Sequence, residues 1–222
     1  MTNEIQEYFK ENNYVIINNF LDKNTANLLY LYVIANAKRA DYKYQNDFEH
    51  YDVHWDGNWI DEQAPGSYSR YGDPMFDTIL EQATNMMKDY TGIDVVSTYS
   101  YHRLYQQNDV LERHKDRPSC EISTTLCLGY NVENLDKNEY PNYNWPMWVQ
   151  DKNGNEIPVG LEPGDMIIYR GHDIDHWREK FIGLNHAQVF LHYNDKNGPF
   201  NTEWDGRPML GIPRGYQIRR TR

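Results

Sequence analysis

The stretch Gly164-Asp165-Met166-Ile167-Ile168-Tyr169-Arg170-Gly171-His172-Asp173-Ile174-Asp175-His176-Trp177-Arg178 decides how this chain reads. Met166 to Arg170 is an apolar run after a Pro163-Gly164 turn and predicts a strand; Gly171 to Asp175 is a turn, and His176 to Phe181 predicts the next strand. The same alternation extends outward on both sides. Val95 to Gln106, Glu121 to Asn131, Trp145 to Gln150 and Ala187 to Tyr193 all read as strands, punctuated by Asn153-Gly154 and Gly183. Val189 and Leu191 stand opposite Phe190, so both faces of that strand are apolar, as expected where one lines a pocket and helices cover the other. Upstream the period changes to that of helices. Asn24 can cap a helix with its stripe at Ala26, Leu29, Tyr30, Val33 and Ala37, after a short strand from Tyr14 to Phe20. Asp73 as cap, Pro74 at the first position, the stripe Phe76, Ile79, Leu80, Ala83, Met87, Tyr90 and the terminator Gly92 define another. Helices outside a strand-rich half predict an α+β fold, a double-sheet jelly roll or cupin-type barrel. The expected plan is one domain over 1–222: a helical part to about 92, a barrel over about 93–195 and a C-terminal arm over 196–222.

With 222 residues the chain can bury roughly 70% of its unfolded surface in one core. No run of 18 apolar residues occurs and the start is polar and acidic, so a cytoplasmic protein without membrane contact is expected. A formal charge of −11 argues against nucleic acid as partner. Cys120 and Cys127, seven apart on one predicted strand, should face opposite ways and stay unpaired. The tail carries Lys196, Arg207, Arg214, Arg219, Arg220 and Arg222 against only Glu203 and Asp205; it reads as an arm packed on an acidic body or a contact to an acidic partner.

His114-Lys115-Asp116 and the distal His176 carry the chemistry. Two imidazoles and a carboxylate with no fourth protein ligand can hold ferrous iron on one face and leave the other open to O2 and an organic co-substrate. The tripeptide alone is cheap, because His50-Tyr51-Asp52 matches it too. Context selects between them. His50 and His54 lie in the aperiodic Tyr/Asp-rich stretch from Asp41 to Tyr71, whereas His176 opens a strand. His172 competes with His176 but falls within the turn. His102, His186 and His192 read as core or wall histidines.

Asn13 to Phe20 beside a helical segment, Tyr105 nine residues before His114, a strand ending in Tyr130, the Pro-Gly-Asp turn into Met166 to Tyr169, and His176 together resemble an iron(II)/2-oxoglutarate-dependent dioxygenase of the prolyl-hydroxylase-like kind. The resemblance spans most of the chain and implies a double-stranded β-helix with iron(II) on His114, Asp116 and His176. It further implies 2-oxoglutarate and O2 as co-substrates, ascorbate as a reductant, and hydroxylation of an unactivated C–H bond with release of succinate and CO2. Asp116 favours hydroxylation, since halogenating relatives have a small residue there. One departure stands out. The family's basic anchor for the distal carboxylate of 2-oxoglutarate falls about nine to twelve residues after the distal His, where this chain reads Asn185, His186, Ala187, Gln188. Arg178, two residues beyond His176 and so on the same strand face, is the best substitute, with Arg103 and Lys180 next. Tyr130, Tyr105, Gln188 and His186 are candidate hydrogen-bond partners of the same carboxylate.

The substrate class stays open among an amino acid, a peptide or protein side chain and a small metabolite. Tyr42, Tyr44, Trp55, Trp59, Tyr68 and Tyr71 either form an aromatic lid or anchor an irregular segment to the core. A metal-binding cupin that is an isomerase or a dioxygenase without 2-oxoglutarate, and a non-catalytic binding module, are the alternatives.

Overall fold

The structure, a computed structural model, describes residues 2–47 and 49–214. It is built from helices α1 (Thr2–Asn12), α2 (Lys23–Gln45) and α3 (Pro74–Thr91) and strands β1 (Tyr14–Ile17), β2 (Tyr68–Tyr71), β3 (Val95–Gln106), β4 (Leu111–His114), β5 (Ile122–Asn131), β6 (Met147–Gln150), β7 (Glu156–Val159), β8 (Met166–Tyr169), β9 (His176–Arg178) and β10 (Asn185–Asp195). Two antiparallel sheets form: a large one ordered β1-β8-β5-β10-β3-β2 and a small one ordered β4-β9-β6-β7. Among the described residues the two ladders do not join into a closed barrel; the sheets face each other. Met147, Val149 and Val159 of the small sheet meet Cys127, Ile167 and Tyr169 of the large one in a single buried cluster.

The large sheet is covered on its other face by the helices. Leu29 and Val33 of α2 and Phe76, Leu80 and Met87 of α3 pack on Leu104, Ile122, Leu126, Ile168, Val189 and Leu191. Alternation along each strand then sends the intervening residues inward. Tyr99, Tyr101 and Arg103 of β3, Thr125 of β5, Tyr169 of β8 and Phe190 and His192 of β10 face the space between the sheets, so the two-faced apolarity of β10 reflects helices outside and a cavity inside.

Several boundaries differ from the sequence reading for physical reasons. Asp22, not Asn24, caps α2: its carboxylate accepts the backbone N–H of Asn24 and Thr25 at 3.0 and 3.1 Å. Trp145 is not in a strand, because its φ of 41° places it in the left-handed region and pairing starts at Met147. Cys120 sits in a short 3-10 turn, Pro118–Cys120, and not on the strand with Cys127; both thiols are free and buried. The described part of the C-terminal arm, to residue 214, folds back on the body. Arg207 is buried and bonds Asp77 of α3 at 2.8 Å and the carbonyl of Thr98 at 3.0 Å. Of the six basic tail residues, Arg219, Arg220 and Arg222 lie outside the described residues. No described helix is long and apolar enough to cross a membrane.

Candidate metal centre and its cavity

β4 pairs with β9 so that His114 stands opposite His176 across the ladder. This register brings together residues 62 positions apart, and Asp116, just beyond the end of β4, joins them. The ring centroids of the two histidines are 4.3 Å apart. Asp116 Oδ1 lies 3.6 Å from His114 Nε2 and 3.5 Å from His176 Nε2. Three donors each about 2.1 Å from one ion would be roughly 3 to 3.6 Å apart, so the set fits a single metal.

The other atom of each group is already spoken for. His114 Nδ1 is 2.7 Å from the Glu112 carbonyl and His176 Nδ1 is 3.2 Å from the Ile174 carbonyl. A carbonyl only accepts, so both Nδ1 atoms carry a proton; both Nε2 atoms face Asp116, donating to it when the imidazoles are charged and offering a lone pair to a metal when they are neutral. Asp116 Oδ2 accepts from Ser123 Oγ at 2.7 Å, which leaves Oδ1 for the histidines. Ser123 in turn lies 3.0 Å from His192 Nδ1. Burial works against ionisation of Asp116, yet the neighbouring His176 and His114 hold its carboxyl well below the usual range. His114 is raised: burial opposes its charge, but Asp116 and the Glu112 carbonyl outweigh it. Gly171 makes this approach possible, since a Cβ there would overlap Asp116 Oδ2, Ser123 Oγ and the Cys120 carbonyl. A second grouping, Asp116 with Cys120 and His192, is close enough to ligate. It shares Asp116 with the first set, burial pushes its Cys120 thiol up beside the Tyr99 hydroxyl 2.9 Å away, and its His192 Nδ1 is already 3.0 Å from Ser123 Oγ.

The three residues open onto a cavity of about 450 Å³ between the sheets. Its inner wall holds Arg178, which is 2% exposed and has no carboxylate partner among the described residues. One nitrogen donates to the Trp145 carbonyl, the guanidinium stacks 4.7 Å over the Trp145 ring, and Nη2 has no partner among the described residues. Burial pulls its pKa down, the direction for a cation short of counter-charge. The other inner arginine is different. Arg103 is ion-paired with Asp61, which also accepts from the Tyr101 hydroxyl, and it donates to Tyr105 Oη at 2.8 Å.

No family model matches the sequence, and no curated protein matches it. Solved structures do match the fold. A prolyl-4-hydroxylase from Pseudomonas putida superposes with a TM-score of 0.61 at 13% identity, covering 88% of this chain and 99% of that one. A prolyl hydroxylase from Trichoplax adhaerens, in complex with a hypoxia inducible factor peptide fragment, gives 0.59 at 14% identity over 88% and 89% of the two chains. HygX from Streptomyces hygroscopicus, with nickel and 2-oxoglutarate bound, gives 0.58 at 9% identity over 89% and 88%. The chain has a prolyl-hydroxylase-like 2-oxoglutarate oxygenase fold.

Within this oxygenase fold the sequence-derived candidates separate into two groups. His114, Asp116, His176 and Arg178 all border the cavity, and Tyr105, fully buried, supports Arg103 behind it. Tyr130, Gln188 and His186 do not line it. The Tyr130 hydroxyl donates to Glu162 at 3.0 Å and its ring stacks on His186. Gln188 and His186 are buried on the β10 face shared with Phe190 and His192; Gln188 has no side-chain partner and His186 Nδ1 has none. Lys180 is exposed and outside the cavity. His50 and His54 are exposed on the 46–67 segment, His102 lies under the helices against Phe76 and Tyr68, and His172 points its Nδ1 at the Asp116 carbonyl, 3.1 Å away. The six lid aromatics divide: Trp59 packs on the outer core and Tyr68 is buried in it, Tyr42, Tyr44 and Trp55 are exposed, and Tyr71 alone of the six reaches the cavity. What that segment brings to the cavity is Asp61 and Gln63, polar residues that no periodicity marks. Ser123, Gly171, Arg117 and Asp205 also escaped the sequence reading. Only the crowding of Gly171 into the ligand-bearing turn hinted at one of them.

Proposed function

We propose that this protein is an iron(II)- and 2-oxoglutarate-dependent dioxygenase that hydroxylates an unactivated C–H bond. The observation that carries the reading is the junction of two features in one cavity: three convergent donor atoms and a buried arginine lacking an anion. The donor set suits iron(II), with His114 and His176 through Nε2 and Asp116 through Oδ1. The orphaned Nη2 of Arg178 suits the distal carboxylate of 2-oxoglutarate, since a buried guanidinium gains most from a bidentate anionic partner. When bound, the metal and co-substrate supply O2 activation, coupling decarboxylation of 2-oxoglutarate to succinate and CO2 with hydroxylation of the substrate. The chain's part is positional. Ser123 fixes the carboxylate rotamer of Asp116, the Glu112 and Ile174 carbonyls fix both imidazoles, and the inner wall excludes water around Arg178. Gln188 and His186 keep buried polar atoms without partners among the described residues on the same strand face as Phe190, and Tyr130 would join only by releasing Glu162.

The test is anaerobic reconstitution with iron(II) and 2-oxoglutarate, expected to give a weak visible charge-transfer band that His176→Ala abolishes and His50→Ala and His172→Ala retain. Succinate should form on admission of O2. Absence of the band in the wild-type protein would overturn the reading, and iron binding without 2-oxoglutarate binding would favour a plain metal-dependent cupin.

A further inference from the structure

We infer that the substrate is a small anionic molecule, with a carboxylate or phosphate held at the cavity rim and an apolar body lying along the aromatic wall. This rests on the oxygenase reading, because it takes the inner cavity as the place of 2-oxoglutarate. The cavity is bordered by five cations: Arg103, Lys115, Arg117, Arg178 and Arg214. Against them stand Asp61 and Asp116, with Asp205 held against the rim by Arg117. Iron(II) and the dianion of 2-oxoglutarate cancel, so the loaded site keeps two positive charges within a chain of formal charge −11. Positive potential confined to one cleft of an acidic protein draws anions and repels cations.

The local pairing shows which charges are spent. Arg103 is matched by Asp61, and Arg117 grips both oxygens of Asp205 at 3.1 and 2.8 Å. Lys115, exposed between the two metal-ligand candidates His114 and Asp116, has no hydrogen-bond or ion-pair partner among the described residues. Arg214 is 64% exposed and touches Asp205 only at 3.9 Å. These two cations remain for a ligand. The wall beside them offers rings rather than hydroxyls. Tyr71 and Tyr99 stack at 4.6 Å, and Tyr101 and Phe190 continue the surface. The hydroxyls of Tyr71, Tyr101 and Tyr99 are engaged by Asp205, Asp61 and Cys120. A cavity of about 450 Å³ that also holds the co-substrate admits a small molecule and not a folded partner.

The experiment uses the full chain loaded with zinc(II) and 2-oxoglutarate. 2-Oxoglutarate binding is measured first by calorimetry; failure at that stage refutes the oxygenase reading itself. Saturation-transfer NMR then reads a panel of matched pairs: aryl and alkyl carboxylic acids with their amides, and phosphate monoesters with their parent alcohols. Binding is expected from anionic members of the pairs, either the carboxylate or the phosphate arm, and should weaken about tenfold in Lys115→Met and further in Lys115→Glu and Arg214→Glu. Amides or alcohols binding as well as the anions, no member binding, or charge reversal leaving the anion preference intact would each overturn the assignment. So would a loss of 2-oxoglutarate affinity in Lys115→Glu as large as the loss for the panel.

Discussion

Replacing Arg178 with Met should move stability and co-substrate affinity in opposite directions. In the protein without ligand, this guanidinium is buried against Trp145 with one carbonyl bond, one cation–π contact and a free Nη2. Burying an ion costs several kcal/mol, a carbonyl bond and a cation–π contact return roughly 2 kcal/mol each, and no carboxylate supplies the rest. A Met of similar length removes the deficit, so we expect the ligand-free variant to gain about 1 kcal/mol, or roughly 3 °C in Tm for a chain of this size. With 2-oxoglutarate the order reverses. Loss of a charge-assisted, two-pronged contact costs about 1.5–3 kcal/mol, which is roughly 10- to 150-fold in Kd. Co-substrate at 100 times the wild-type Kd stabilises the wild-type protein by about 2.7 kcal/mol; if affinity falls 50-fold, the same concentration gives the variant only about 0.6 kcal/mol. Thermal unfolding with and without 2-oxoglutarate, beside calorimetric titration, reads both quantities. Arg178→Lys should restore affinity only in part, because an ammonium cannot match the planar fork. An unchanged Kd together with a destabilised ligand-free variant would refute the reasoning and move the anchor to Arg103.

Gly171→Ala should lower iron affinity at least about tenfold while the protein stays folded, because the new Cβ displaces Asp116 and Ser123; Ser123→Ala should cost roughly 10-fold through the same carboxylate, and equilibrium metal titration distinguishes either from wild type. Arg207→Ala leaves Asp77 buried without its cation and should destabilise by about 3–5 kcal/mol in urea unfolding, whereas a loss under 1 kcal/mol would mean that the C-terminal arm is not tied to α3 as described. His102, pushed down to about 4 by burial, stays neutral in the fold while the unfolded chain takes up a proton near 6.5. Its contribution is therefore intact above pH 6.5 and falls as pH drops toward 4, by about 3 kcal/mol in all; His102→Leu should flatten that part of the stability–pH curve, and an unaltered slope would count against it.

What the sequence made legible were features that repeat or that chemistry confines to few residues. β3 was bounded correctly because twelve residues of alternation leave little freedom, and α3 because Asp73, Pro74 and Gly92 are local signals acting on the backbone beside them. The strands β2 and β7, each four residues long, were missed; so short a run carries too few alternations to stand out, and their pairing energy comes from neighbours distant in sequence. α1 was missed for a related reason, since its sequence is mostly polar and Phe9 is its one fully buried described side chain, with Ile5 half-buried and Gln6 bonded to α3. The convergence of His114, Asp116 and His176 was readable because few residue types suit such a donor set, yet the orientation of Asp116 depends on Ser123, which sequence cannot single out from other serines. The same holds for Asp61 and Asp205. Each is an unremarkable surface residue until an irregular segment carries it to the cavity, one to Arg103 and the other to Arg117. These two long-range pairings decide which cations stay free. Because they consume Arg103 and Arg117, the proposed assignment leaves Arg178 in the inner cavity for a co-substrate dianion and Lys115 and Arg214 at the rim for the substrate, a separation of charges that exists only in the folded chain.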